Sequence, residues 1–448
     1  MMKCAFYEAD ITGPIGSSIP GYFVDRFTTG IKDRLYAKAF AASDGETTFA
    51  MLELDCCELL DCYQDEILDR VCETNNIARE NVSVSATHTH YGIPSGGLTG
   101  EIADEDFMKV CVKLCADCVT MALANMQDAD AYFAEGFVDG ISFNRIYIND
   151  EGTIRTQPPK ESGYRHYTEN DPLLPALVIK DKDGNLKGAV YSYACHQDCV
   201  GGVEYTGDYS SEVSIQLKKK YGNDFVSMYI AGASGDINHV NPDYLAANVK
   251  TEAADVPHYR KMGRKIADEL IRMIENDLKP TGESVFAGCK KLEIQKRRAT
   301  EQMIADAKAI LADPDGKGKV TCQSMLEYIE AQTDYIHRTQ VQVFGIGNAK
   351  FFMLPGEMFH RFAAKIRAAL PGTNCLFSTL SDGWNGYIPT PELVDLYEDL
   401  YNKVYEIKLC HGSQLERNAG DIIADAAITL AKENFLSRGG LRKAEARR

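Results

Sequence analysis

Two of the nine histidines stand one residue apart, in His88-Thr89-His90. They follow the run Val82-Ser83-Val84-Ser85-Ala86 and precede a Gly/Pro-rich segment. Along a strand, residues i and i+2 share a face, so both imidazoles are expected to project together where the strand opens into a loop. Imidazole is a good zinc ligand, and paired histidines are a common start to a metal site. The plain alternative is two surface or turn histidines. His196 follows the run Gly188 to Tyr193, within Ala194-Cys195-His196-Gln197-Asp198-Cys199. Taken alone, it reads as a packed, hydrogen-bonded residue. Cys195 and Cys199 flank it, but joint coordination by both thiols and the imidazole is sterically awkward on a strand end.

Three further segments carry usable groups. Ile230-Ala231-Gly232-Ala233-Ser234-Gly235-Asp236 ends a β run in small residues and then an acid. Small residues admit close approach of a ligand to the backbone, which marks Gly232, Ser234 and Asp236 as candidate substrate contacts, with a tight turn as the alternative. The spacing is not that of the Gly-x-Ser-x-Gly nucleophile elbow. Leu354-Pro355-Gly356-Glu357 turns the chain and is expected to start a helix at Glu357, where a carboxylate also suits the helix dipole. Tyr387 lies in Asn385-Gly386-Tyr387, where a packing role is the plain alternative, beside Trp384, the only tryptophan and a further candidate substrate contact. In each segment a strand gives way to a loop, the place where α/β folds gather binding sites.

The elements that must position these groups alternate between the two periodicities. Strands are expected at Leu35 to Ala42, Thr48 to Leu54, Asn81 to Thr87, Tyr132 to Val138, Ile141 to Ile148, Ala176 to Ile179, Gly188 to Tyr193, Phe225 to Ile230, Phe286 to Ile294, Val341 to Ile346, Ala349 to Leu354 and Leu376 to Thr379. Helical spacing covers Cys62 to Thr74, Asp104 to Met126, Ser211 to Tyr221, His258 to Asn276, Glu301 to Ala312, Cys322 to His337, Met358 to Leu370 and Gln414 to Glu433. There is no repeat. The pattern implies an α/β fold with mixed β-sheets and flanking helices. It implies one catalytic domain over residues 1–437 and a basic, frayed tail over 438–448.

Composition narrows the class. A formal charge of −17 disfavours phosphate backbones and anionic lipid surfaces, so neither nucleic-acid binding nor stable membrane association is expected. The 14 cysteines form no secreted-type framework, and free thiols in a reducing compartment are the better fit. With no apolar signal core and no apolar run of membrane-spanning length, the expectation is a cytoplasmic protein. Its partner is expected to be a small-molecule substrate; a homo-oligomer is allowed.

In order, these segments resemble the catalytic domain of the neutral (non-lysosomal) ceramidase family. The resemblance runs through Ala9-Asp10-Ile11-Thr12-Gly13-Pro14, Gly30-Ile31, Arg34-Leu35-Tyr36-Ala37, Ser85-Ala86-Thr87-His88-Thr89-His90 and Asn144-Arg145. It continues through Ala194-Cys195-His196, Gly235-Asp236, Pro355-Gly356-Glu357, Gly386-Tyr387 and Tyr405-Glu406. It implies a Zn2+ held by His88, His196, Glu357 and Tyr387, with His90, Arg145 and Tyr405 as supporting catalytic groups. The implied reaction is metal-assisted hydrolysis of an amide, in which zinc activates water and polarises the carbonyl.

Three departures from the family pattern shape the expected substrate. Gly232 stands where the family has a serine, with Ser234 two residues displaced. The family's Gly-Asp-Val-Ser-Pro-Asn is here Gly235-Asp236-Ile237-Asn238-His239-Val240-Asn241-Pro242. No counterpart of the family's C-terminal β-sandwich is expected from this sequence. A small soluble N-acyl compound is therefore expected in place of ceramide. An ester or lactone hydrolase, a metal-dependent lyase or isomerase, and a binding protein on the same scaffold are the alternatives. Asp10, Asp55, Asp208 and Asp236 are candidate outer partners of the histidines. His166, His258, His337, His360 and His411 read as surface or packing residues.

Overall fold

The protein is represented by a computed structural model. It describes residues 1–22, 26–97, 102–156, 163–240, 256–298, 301–314, 334–383, 385–394 and 415–445, together with residues 323, 326 and 330.

The largest sheet has nine strands. Its path runs Val226–Ala231, Leu186–Tyr193, Leu173–Asp181, Gln127–Phe137, Lys3–Asp10, Tyr36–Ser43, Thr48–Leu54 and Val82–Ala86, with Lys279–Pro280 added against Gln127–Phe137. Pairing is antiparallel along the middle and parallel at both ends. There Gly188 to Tyr193 runs beside Val226 to Ala231, and Ala50 to Leu54 runs beside Val82 to Ala86. Each parallel pair delivers strand C-termini, and hence loops, in one direction. A second sheet of four strands is ordered Val285–Gln295, Ile336–Ile346, Ala349–Met353 and Asn374–Ser378.

Strict alternation along these strands sorts their side chains between two faces. Ala37, Ala39, Ala41, Ala50, Leu52, Leu54, Val82 and Val84 face the helices Asp61–Asn75 and Glu105–Ala124. Ala176, Val178, Tyr191, Tyr193 and Tyr229 face the helices Asp208–Tyr221 and His258–Asn276. Val341, Val343, Phe352 and Phe377 face the helices His360–Ala369 and Ala419–Glu445. The opposite faces meet in one inner core, where Phe40, Phe49, Met51, Leu177, Val190 and Met228 join Phe344, Phe351 and Leu376. Both ends of the large sheet thus close against the small one. The segment after Asn374–Ser378 stitches those ends: Thr379 N–H donates to the Ala231 carbonyl at 2.7 Å, and Ser381 bridges Ser85.

The α/β class expected from the sequence is the one observed. Four elements differ from expectation. The strand expected over Ile141 to Ile148 is two short pieces, Phe143–Asn144 and Ile146–Ile148, which join different sheets on either side of Arg145. Glu357 does not open a helix: Glu357–Met358 pairs with Tyr387–Ile388, and the helix starts at His360. The expected helix Cys322 to His337 overlaps a strand that begins at Ile336, and most of the remainder lies outside the described residues. The closing helix spans Ala419–Glu445, starting and ending later than the expected Gln414 to Glu433.

Candidate metal centre

Six segments converge at the mouth of the closed sheets, joined to one another by backbone hydrogen bonds. Thr89 bridges Gln197 in parallel, and His90 N–H donates to the Gln197 carbonyl at 2.9 Å. His196 N–H donates to the Ile237 carbonyl at 3.2 Å, and Arg145 N–H to the Asp236 carbonyl at 2.9 Å. Gly235 N–H donates to Met358, and Glu357 N–H to Gly386, at 2.9 and 2.8 Å. The two-residue parallel ladder sets Glu357 beside Tyr387. Gly235 has no room for a side chain, since a Cβ there would lie 2.3 Å from the Glu357 carbonyl oxygen. Gly356 turns the chain at φ +70°, a conformation that favours glycine.

His88, His196, Glu357 and Tyr387 are all buried at this convergence. Glu357 Oε2 lies 3.2 Å from Nε2 of His88 and 3.2 Å from Nε2 of His196. His196 Nε2 is 3.4 Å from the Tyr387 hydroxyl. The outer nitrogens are pinned by main-chain carbonyls. His88 Nδ1 bonds Cys57 O at 2.8 Å, and His196 Nδ1 bonds Ser234 O and Ile237 O at 2.9 and 3.1 Å. Carbonyls only accept, so Nδ1 carries the proton in each ring and the Nε2 lone pair turns inward.

Two imidazole lone pairs facing a buried carboxylate call for positive charge between them. Without a metal, a proton fills that need. Burial opposes charging of His88, yet Glu357 holds its pKa well above the usual histidine value. His196 is lowered to about 4 by burial and by the Arg145 guanidinium. Burial works to raise Glu357, but His88 and then His196 hold it well below the carboxylate range. A small divalent cation fits the same place. Tetrahedral bonds of about 2.0–2.1 Å separate ligand atoms by about 3.3–3.4 Å, close to the spacings found here. His88, His196 and Glu357 group as possible metal ligands on geometry alone.

The supporting residues divide. His90 packs edge-on to His88, ring centroids 4.9 Å apart, and both its ring nitrogens are buried without a hydrogen bond. Burial and His88 push its pKa well below the usual value. Arg145 is buried, and its Nη2 donates to the Gly235 carbonyl at 2.6 Å and to His196 Nε2 at 3.2 Å. Its guanidinium lies 5.1 Å from the centre of the Tyr387 ring. Burial pushes the Tyr387 phenol up, and Arg145 opposes that shift.

The candidate substrate contacts are placed differently. Ser234 serves the site through its carbonyl. Asp236 bonds Asn144 Nδ2 at 2.8 Å, and its two oxygens take His360 N–H at 2.8 Å and His360 Nδ1 at 2.6 Å, so it buttresses the loop. Gly232 packs on the Tyr193–Ala194 backbone, where a Cβ would lie 2.9 Å from main-chain atoms. Tyr405 and Trp384 lie outside the described residues. Of the four aspartates, Asp10 bonds Thr12 and Arg34, Asp55 takes Tyr36 N–H, and Asp208 takes Cys199 N–H. Main-chain carbonyls, not these acids, orient the two histidines. Sequence reading missed Cys57 and Ile237 in that role, because a carbonyl acceptor carries no side-chain signature. It also missed His360, whose signal is only its place three residues after Glu357.

An α/β fold that buries two imidazoles, a carboxylate and a phenol together at its loop ends is compatible with a metal site of the kind found in hydrolases. Comparison with known proteins narrows the class. A sequence model of the N-terminal part of the neutral/alkaline non-lysosomal ceramidases matches residues 5–238, and the chain belongs to that family. Neutral ceramidases of Drosophila pseudoobscura pseudoobscura and Drosophila melanogaster are each 26% identical over 257 residues, 53% of this chain and 36% of theirs. The chain thus spans about a third of the length of these relatives. The crystal structure of neutral ceramidase from Pseudomonas aeruginosa superposes with a TM-score of 0.72 at 18% identity, covering 96% of this chain and 75% of that one. A ceramidase described as complexed with C2 gives 0.70 at 16% identity, with the same coverage. At these identities the likeness is one of fold.

Proposed function

We propose that the chain is a zinc-dependent hydrolase of an amide bond, acting on an N-acyl compound with a small, soluble polar part. The observation that carries this reading is the set of inward-facing donors: two Nε2 atoms 3.2 Å from one carboxylate oxygen, each ring fixed through Nδ1. Family membership supports the amide chemistry. A bound zinc supplies Lewis acidity and a nucleophile at neutral pH. His88, His196, Glu357 and Tyr387 would hold it.

The chain's own groups do the rest. His90, with both ring nitrogens unbonded, is placed to accept a proton and return it to the leaving amine. Arg145 keeps a fixed positive charge beside His196 and Tyr387, where negative charge develops on the attacked carbonyl. Burial of all four donors excludes bulk water and strengthens these interactions.

A lipid-like acyl chain is favoured by a separate observation. The loop that sets Tyr22 against the His90 ring, 5.0 Å between centroids, also exposes Ile15 and Phe27. The relatives named neutral ceramidase agree with that reading. No helix among the described residues is long and apolar enough to cross a membrane. The test is elemental analysis of the parent and of His196→Ala, followed by hydrolysis assays. Substrates would be a short-chain N-acyl amino alcohol in solution and ceramide in mixed micelles. Zinc in the parent, lost in the variant together with amide cleavage, is the expected result. No metal in the parent after zinc loading overturns the reading.

A further inference from the structure

A second group of metal-type donors lies just outside the centre described above. Asp198 and Cys199 follow His196 by two and three residues. His239 stands two residues beyond Ile237, whose carbonyl holds His196. A carboxylate oxygen of Asp198, Cys199 Sγ and a ring nitrogen of His239 all lie within 4.8 Å of one another. His239 Nε2 is 3.3 Å from Asp198 Oδ1, close to the edge of a metal's coordination shell. The opposite nitrogen, Nδ1, meets His258 Nε2 at 3.2 Å, which orients the ring from outside as outer partners of ligating histidines do. Asn238 Nδ2 reaches both Asp198 oxygens, at 3.3 and 3.1 Å, and steadies the carboxylate.

Charge points the same way. Asp208 is fully buried, and its carboxylate accepts Cys199 N–H at 2.7 Å. Asp198 is buried to more than four-fifths. Among the described residues no lysine or arginine forms an ion pair with either acid; His239 is the one basic side chain paired with Asp198. Carboxylates taken from water need a compensating cation. The thiol is buried too; its sulfur lies 3.7 Å from the His196 carbonyl, and Asp208 is a further hydrogen-bond partner. Sulfur, nitrogen and oxygen donors together select a borderline-soft ion of the zinc type over calcium or magnesium.

We propose that Asp198, Cys199 and His239 form a second cation site for a zinc-type divalent ion, which clamps the His196-bearing loop to the segment 237–239. It rests on its own three residues and does not depend on what the first centre binds.

Cobalt(II) separates the two sites, because the four donors proposed for the first include no sulfur; Cys57, whose thiol lies 3.8 Å from His88 Nδ1, is tested separately. The full-length protein, stripped with chelator, is titrated with cobalt(II) and followed in the near ultraviolet for the thiolate-to-cobalt charge-transfer band. The band should appear in the parent and persist in Glu357→Gln. It should fall at least tenfold in Cys199→Ser and in His239→Gln. If Cys199→Ser does not keep the parent's far-ultraviolet circular dichroism, His239→Gln decides, since it leaves every thiol in place. No band at saturating cobalt overturns the proposal. So does a band that survives His239→Gln or disappears in Cys57→Ser, the thiol beside His88. A normal band with unchanged cobalt stoichiometry in Glu357→Gln would sink the first-centre reading and leave this one standing.

Discussion

Replacing Glu357 by Gln tests the metal centre with the smallest change in shape. The carboxylate contacts both Nε2 atoms at 3.2 Å, and the Glu357 backbone pairs in register with Tyr387, so the residue adjoins the three other proposed ligands. An amide of equal size keeps the fold but removes the negative charge and leaves a weak ligand. Four-ligand zinc sites bind with about 10–16 kcal/mol, so one ligand accounts for about 3 kcal/mol. At 1.4 kcal/mol per decade, affinity should fall by about a hundredfold or more. Competition with a chromophoric chelator measures it, with circular dichroism as the folding control. Amide hydrolysis at a zinc level that saturates only the parent should fall by a similar factor. Unchanged zinc affinity in a folded Glu357→Gln protein would refute the claim that this carboxylate is a ligand.

Three further outcomes are expected. Gly235→Ala pushes a methyl against the Glu357 carbonyl and Phe359, so thermal unfolding should show a loss of about 1–3 kcal/mol, with weaker metal binding; an unaltered melting curve would contradict the close approach. Arg145→Lys keeps a charge but loses the planar fork that reaches both Gly235 and His196, so kcat should drop roughly 10- to 100-fold while metal content holds; metal loss in parallel would instead make Arg145 a structural prop. His360 is held above its ordinary pKa, burial opposing and Asp236 prevailing. A raised histidine pKa gives stability that is fully present below about pH 6.5 and fades as pH rises through the folded-state value. Urea unfolding should therefore show the parent losing more stability than His360→Gln between pH 6 and pH 9; parallel slopes would remove His360 from the account.

Strand alternation made the sheets legible in the sequence, because successive side chains of strands such as Tyr36–Ser43 and Leu186–Tyr193 pack into different clusters on the two faces. The donors were legible by type and by their place at strand ends, but the reason for their convergence was not. His88 and His90 do not share a strand face. The strand stops at Ala86, and His88 takes φ +66°, so the loop itself turns the two rings together. Glu357 looked like a helix cap, because Pro-Gly before an amphipathic run has that signature. Its two-residue pairing with Tyr387 depends on a segment thirty positions away, which no local pattern reports. Asp236 looked like a ligand contact because acids after small residues often are. Its real partners, Asn144 and His360, come from elsewhere in the chain.

The stitching of distant loops has a kinetic consequence. His88 and His196 fall within residues 5–238, whereas Glu357 and Tyr387 enter only when the last sheet docks between the two ends of the first. Contacts of such long sequence separation form late, after the chain has met the entropy of closing large loops. A growing polypeptide therefore presents two imidazoles long before it can present the carboxylate and the phenol. A cation bound at the first centre would then seal finished folding rather than seed it. An interaction absent from the transition state leaves the folding rate alone and slows escape from the native state. The bound ion would thus lengthen the lifetime of the folded protein without hastening its birth.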